Sequence, residues 1–166
     1  MTGEKINSTK LRALISSLIF SIILMIFPVV SGAIVVINGI EILQSYLIQG
    51  FFMMLSIAVP VIFIWIKKIK PSQIGFTGME KGSLKTVLYF IPVIVAKIGF
   101  LFCGINNDIH TVMSLLFFTI VIGLSEELYF RGIILRKLKA CFTIKQTVFI
   151  SSVLFAAVHA SQAFSG

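Results

Sequence analysis

The stretch LLFFTIVIGLSEELYFRGIIL, residues 115–135, decides how this chain is read. It is apolar and long enough to cross a bilayer, whose ~30 Å of hydrocarbon takes about 20 helical residues. Yet Glu126 and Glu127 stand side by side within it, two of only six acidic residues in the 166. A carboxylate at the centre of a membrane helix costs about 2.5–3.5 kcal/mol on the insertion scale. The pair is therefore either neutralised or working on something. Arg131, four residues past Glu127, is the obvious partner.

Composition sets the class around that stretch. Hydrophobic residues make up 58% of the chain and charged residues 12%, with a mean hydropathy of +1.07. A soluble domain of this length lacks the interior to hide so much apolar surface, so the solvent is lipid. Five apolar spans follow: Leu11–Ile37, Ile42–Ile66, Thr86–Cys103, Val112–Leu135 and Thr147–Ala160. The last is short for a full crossing. The expected fold is an all-α, polytopic transmembrane helical bundle, a single membrane domain over residues 1–166 with no internal repeat.

The net charge of +8 raises the question of nucleic acid. The positions of the cations answer it. The N-terminal segment carries Lys5, Lys10 and Arg12. Lys67, Lys68, Lys70, Lys81 and Lys85 follow span two, and Arg136, Lys137, Lys139 and Lys145 follow span four. The loops around 38–44 and 104–110 carry no Lys or Arg. The positive-inside rule then makes the N-terminus cytoplasmic and alternates the spans from there. Topology accounts for the charge, and no nucleic-acid partner is expected.

Three smaller features fit this scheme. Span one has a basic leader and a loose cleavage-like Val30-Ser31-Gly32, but its apolar run outlasts a signal h-region, so an uncleaved anchor is expected. Cys103 and Cys141 fall on opposite sides of the membrane and cannot pair. Pro28, Pro60 and Pro92 lie inside spans, where kinks are tolerated, and Trp65 before Lys67 and Lys68 marks an interface.

On a helix Glu127 and Arg131 are i, i+4 and share a face, while Glu126 points about 100° away. Glu127 is thus clamped, and Glu126 has no basic partner at i+3 or i+4 on its own helix. A carboxyl in apolar surroundings beside a second carboxylate is how a general base or acid arises. Glu126 lies ten residues before Arg136, roughly 15 Å below the basic belt. His159, four residues after Phe155 in span five, reaches a similar depth, about 18 Å from Lys145 once the loop is allowed for. Two antiparallel helices would bring a carboxylate and an imidazole to one level, where together they can deprotonate a water. The plainer alternatives are a structural Glu–Arg clamp near a helix end and a histidine capping a neighbouring carbonyl. Lys97 in span three is either a snorkelling lysine or a counter-charge to the acidic pair.

These residues resemble a known family. SEELYFRG matches the EExxxR motif and LFAAVH the FxxxH motif of the CPBP family, which includes type II CAAX prenyl endopeptidases and bacterial bacteriocin-processing and self-immunity proteins. The resemblance covers roughly residues 67–166, with KPSQIGF similar to a segment often found upstream. It implies an intramembrane endopeptidase cleaving near the cytoplasmic face of a bacterial cell membrane, acting on a protein or peptide substrate. Carried over by position, the catalytic set is Glu126 as the base that activates water, His159 sharing the polarisation, and Glu127 with Arg131 as the supporting pair.

The family pattern continues with an HxxxN-like motif on a later helix, whereas here His159 is followed at i+4 by Ala163. The resemblance thus implies a C-terminally truncated copy whose activity is open. Many relatives are labelled metalloproteases, and Glu126, Glu127 and His159 are three potential ligands, so zinc is possible. No H-E-x-x-H is present, and one membrane histidine cannot supply the usual two, so no metal is taken as obligatory. The alternatives are a non-catalytic immunity or membrane interaction protein on the same scaffold and, more distantly, a small transporter with the glutamates as an ion site. Oligomeric state is left open by the sequence.

Overall fold

The computed structural model describes residues 3–74, 91, 95 and 108–163. The third expected span, Lys97, Cys103 and Pro92 lie outside the described residues. What is described is helical, with no strand. Helix α1 covers Gly3–Ile37, α2 covers Ile42–Ile66, and a short 3-10 turn covers Pro71–Ile74. Helix α3, Ile109–Glu127, runs into a π-helical segment, Leu128–Ile134, and then into the short helix α4, Leu135–Lys139. Helix α5 covers Ile144–Ala163.

Among the described residues three helical stretches are long and apolar enough to cross a membrane, Asn7–Ile37, Ile42–Ile66 and Ile109–Lys139. A shorter apolar stretch, Ile144–Ala160, accompanies them. The chain forms a helical membrane bundle, and its described helices overlap four of the five apolar runs of the sequence. The helices overshoot those runs at their polar ends. α1 begins at Gly3 rather than Leu11, because Lys, Arg and Asn are acceptable helix residues once outside hydrocarbon.

The helix ends are set locally. After α1, Gly39 takes a positive φ of 59°, with its N–H bonded to Val36 O and that of Ile40 to Val35 O. This is the paired-bond Schellman ending, which places a left-handed residue just past the helix. α2 ends the same way, but the left-handed position is held by Lys68, at φ 50°, with Lys68 N–H to Trp65 O and Ile69 N–H to Ile64 O. α3 starts at Asp108, whose carboxylate accepts from the N–H groups of His110 and Thr111, satisfying two of the donors every helix start leaves free.

One end of the bundle gathers the cations. Lys10 Nζ lies 5.8 Å from the centre of the Phe142 ring, and Cys141 Sγ lies 3.9 Å from Thr9 O. The start of α1 thus meets the turn before α5. Lys137 of α4 sits over Phe63, near the end of α2. At the other end Leu43 and Leu47 share a cavity with His110 and Met113. Helices α2 and α3 therefore run parallel and form the most extensive packing in the bundle, and α1 and α5 run the opposite way.

Small polar residues line the packed faces. Ser17, Ser21, Ser31, Ser56, Ser114, Ser125, Thr147 and Ser151 are all buried. Membrane helices use such residues because their small side chains let backbones approach and their hydroxyls bond across or along helices. The larger core is built on the π-helical segment, where Tyr129, Phe130, Ile133 and Ile134 pack with Leu24, Met53 and Val158. Outside, Leu11, Ile15, Ile62, Ile120 and Phe149 are exposed, as a lipid-facing surface requires.

Candidate functional site

The site is built where α3 becomes π-helical. Ser125, Glu126 and Glu127 are the last residues before or at that junction, and each points a different way. Ser125 is fully buried against α2, its hydroxyl 2.6 Å from that of Ser56. Glu126 turns to α5, and Glu127 turns outward. Four residues past Ser125, on the same side, the buried Tyr129 hydroxyl donates to Ser56 O at 3.1 Å. Both bonds reach one residue of α2, so the acidic pair is carried on a segment bolted to its neighbour from behind.

The π-helical turn is wider than an α-turn, and the N–H of Leu135 reaches Phe130 O, five residues back. Of its seven residues all but Arg131 are buried. Such segments are rare and are frequently found at functional sites. Nothing in LYFRGII marks this conformation in the sequence. The i, i+4 pairing survives the junction: Arg131 Nε lies 2.9 Å from Glu127 Oε2. The pair is not enclosed by the described residues, with side-chain exposures of 70% for Arg131 and 53% for Glu127.

His159 Nε2 lies 3.4 Å from Glu126 Oε1, so the carboxylate and imidazole expected at one depth are brought together. Glu126 is the more enclosed of the two, at 22% side-chain exposure against 43%. The ring of His159 is set by its own helix. Its Nδ1 lies 3.0 Å from Phe155 O, and because a carbonyl oxygen only accepts, Nδ1 carries the proton. In the neutral ring Nε2 is then left with a lone pair facing Glu126. The Phe155 ring braces the imidazole at 4.2 Å between centres and packs edge-on to Phe130 at 5.0 Å. The spacing of Phe155 and His159 thus has a physical content: one residue supplies both the carbonyl and the ring that orient the imidazole.

A cleft of about 350 Å³ opens beside this pair, lined by Glu126, Glu127, Arg131, Ser151, Ser152 and Phe155, among others. A larger cavity, about 850 Å³, lies instead between the end of α2 and the 3-10 turn and is mainly apolar. It touches this region only through Leu128, and the chemistry belongs to the smaller cleft. His110 stands at the far end of the bundle, beside Leu43 and Leu47, and takes no part. Among the described residues no three His, Cys, Asp or Glu side chains converge as a metal site. Glu127, the third potential ligand, is turned to Arg131. Of the three potential ligands, the described site brings together Glu126 and His159, while a catalytic zinc takes three protein ligands.

Residues 108–166 match the family described as Rce1-like, type II CAAX prenyl endopeptidase Rce1-like. This segment is similar to that family. The match contains both motifs and agrees with the resemblance they carry, though it covers the C-terminal part of the chain only. No curated protein and no solved structure matches the chain. Within the family segment the structure supplies what the motifs alone do not, the serine–tyrosine contacts to α2 and the π-helical turn. The buried serines of the apolar spans were the available signal, since small and hydroxylated residues mark membrane helix interfaces.

Proposed function

We propose that the chain is an intramembrane endopeptidase of the CAAX-protease type that hydrolyses a protein or peptide substrate by glutamate-activated water near the cytoplasmic face. One observation carries this: Glu126 and His159 present two proton acceptors 3.4 Å apart, with the imidazole held in the orientation that leaves Nε2 open. A water seated against both donates one proton to each and keeps its lone pairs toward the cleft. Glu126 takes the proton as the oxygen attacks the peptide carbonyl, and the same proton then passes to the departing amine. Glu127 and Arg131 hold charge balance beside the base. No step requires a metal, and the bilayer rather than a nucleic acid is the second partner.

The alternative is a non-catalytic immunity or membrane interaction protein on this scaffold. It is favoured by the engagement of polar groups beside the pair: among the described residues lining the cleft, Arg131 is held by Glu127 and the Ser151 hydroxyl by Val148 O. The test is cleavage of a panel of prenylated and unprenylated peptides by the full chain in proteoliposomes. Glu126→Gln keeps the shape and removes the base, and a general base contributes typically 10²–10⁴-fold. A loss of that size in the variant is expected. Undiminished cleavage by Glu126→Gln ends the mechanism, and no cleavage by the unaltered chain favours the alternative.

A further inference from the structure

We propose that the basic end of the bundle holds a binding site for the phosphate of an anionic phospholipid headgroup, in the cleft between the end of α2 and α4. This cleft, about 360 Å³, is lined by Lys67 from the end of α2 and by Arg136 and Lys137 from α4. Phe63, Ile69 and Ile133 supply apolar walls. Two helical elements thus bring three cations to one opening. All three line the same opening, and like charges gathered at one opening repel unless an anion sits among them.

Among the residues whose side chains the structure describes, no carboxylate lines this cleft. Glu126 faces His159 and Glu127 faces Arg131. Glu41 lies just before α2 and Asp108 just before α3, at the opposite end of the bundle. No ion pair forms at Lys67, Arg136 or Lys137 among these residues. Lys137 is moreover not free to swing away. Its ammonium lies 5.1 Å from the centre of the Phe63 ring and 5.8 Å from that of Phe20, so its charge is held at the cleft by two aromatic faces.

Charge and surroundings together select the ligand. A phosphate takes several cationic donors at once, and the apolar walls suit the glycerol and upper acyl carbons attached to it. The cations of this end mark the cytoplasmic interface by the positive-inside rule, where anionic headgroups are present and basic pockets between membrane helices bind them. Lys68 and Lys139, by contrast, lie outside this cleft. The site does not depend on the proposed protease activity.

The test is native mass spectrometry of the full chain released from detergent, with phosphatidylglycerol or phosphatidylcholine titrated in. Phosphatidylglycerol is expected to bind at least tenfold more tightly. Each cation near a lipid surface is worth about a fivefold change, so combined Lys67→Gln, Arg136→Gln and Lys137→Gln substitution should cost roughly 100-fold. A charge-matched control, Lys68→Gln with Lys139→Gln and Lys145→Gln, should cost far less. Lys137→Met alone, which keeps the stem against Phe20 and Phe63, gives the fivefold loss if the triple variant fails to fold. Equal losses in the two triple variants mean a diffuse basic belt and overturn the site. Equal binding of the two lipids overturns it as well. Inorganic phosphate displacing the lipid at equal concentration overturns the lipid assignment in favour of a free phosphate.

Discussion

The Ser56 and Ser125 hydroxyls lie 2.6 Å apart, and the direction of the bond between them is determined by what Ser56 does next. Ser56 Oγ also lies 2.7 Å from Met53 O, an oxygen that only accepts. A hydroxyl has one proton, so Ser56 gives its own to Met53 and receives that of Ser125. The Tyr129 hydroxyl donates to the carbonyl of the same residue. Both donors come from the segment that carries Glu126, and both acceptors belong to α2.

That direction predicts an asymmetry. Ser125→Ala removes one donor and leaves Ser56 bonded to Met53, costing about 0.6 kcal/mol, the average for interhelical bonds in membranes. Ser56→Ala strands the buried Ser125 hydroxyl, which costs about 1–3 kcal/mol when a donor is left unsatisfied. Thermal unfolding in one detergent should rank Ser56→Ala as the less stable variant. The opposite ranking would mean that the proton runs from Ser56 to Ser125.

The Glu127–Arg131 pair invites a second asymmetry. Its exposure on the described bundle argues against a clamp buried in protein, and exposed pairs in water contribute at most about 1 kcal/mol. At this depth, however, the surroundings are not water alone. Glu127→Gln leaves Arg131, whose long side chain can reach toward the basic belt that begins at Arg136. Arg131→Gln leaves two adjacent carboxylates and no cation, with a ceiling near the roughly 2.5–3.5 kcal/mol of a membrane-centred charge. Arg131→Gln should therefore lower the unfolding temperature more, and adding Glu127→Gln to it should restore part of the loss. Equal effects of the two single variants would place the pair in free water.

Asp108 gives a pH dependence outside the membrane span. The hydroxyl of Thr111, first, and the His110 N–H, next, hold its carboxyl below the ordinary value of 3.8. A depressed carboxyl stabilises the folded state above its unfolded value, and that contribution is lost as pH falls through the lower folded value. Asp108→Asn keeps a capping oxygen and removes the titration. The unaltered chain should be the more stable of the two at neutral pH, with the gap closing below pH 3.8. A gap constant with pH would show that capping, not charge, matters at the start of α3.

Much of this was legible in the sequence, and the omissions share a cause. Apolar run length located α1, α2, α3 and α5, because spanning hydrocarbon leaves helices little freedom in where they begin and end. Counting residues from the basic belt placed Glu126 and His159 at one depth, and the helical i, i+4 rule paired Glu127 with Arg131. What stayed hidden depends on which helices touch. Ser56 looks no different from any serine in an apolar run until Ser125 and Tyr129 are seen to face it. The π-helical turn at Leu128–Ile134 is likewise imposed by packing, since it puts Tyr129, Phe130, Ile133 and Ile134 all inward.

A tight contact between α2 and α3 supplies a last prediction. A Cβ added at Gly50 would lie 2.5 Å from the Phe117 ring, too near for the ring to stay where it is. Two effects oppose each other in Gly50→Ala. Alanine gains about 1 kcal/mol of helix propensity over glycine, whereas overfilling a packed contact costs typically 1–3 kcal/mol. The ring of Phe117 also packs near Phe51, at 5.8 Å between centres, which limits its escape. Gly50→Ala should therefore destabilise by up to about 2 kcal/mol. Phe117→Leu added to Gly50→Ala should recover most of that, because it removes the ring atoms the new methyl meets. A Gly50→Ala variant as stable as the parent, with no further gain from Phe117→Leu, would mean that the helices separate at this crossing without cost.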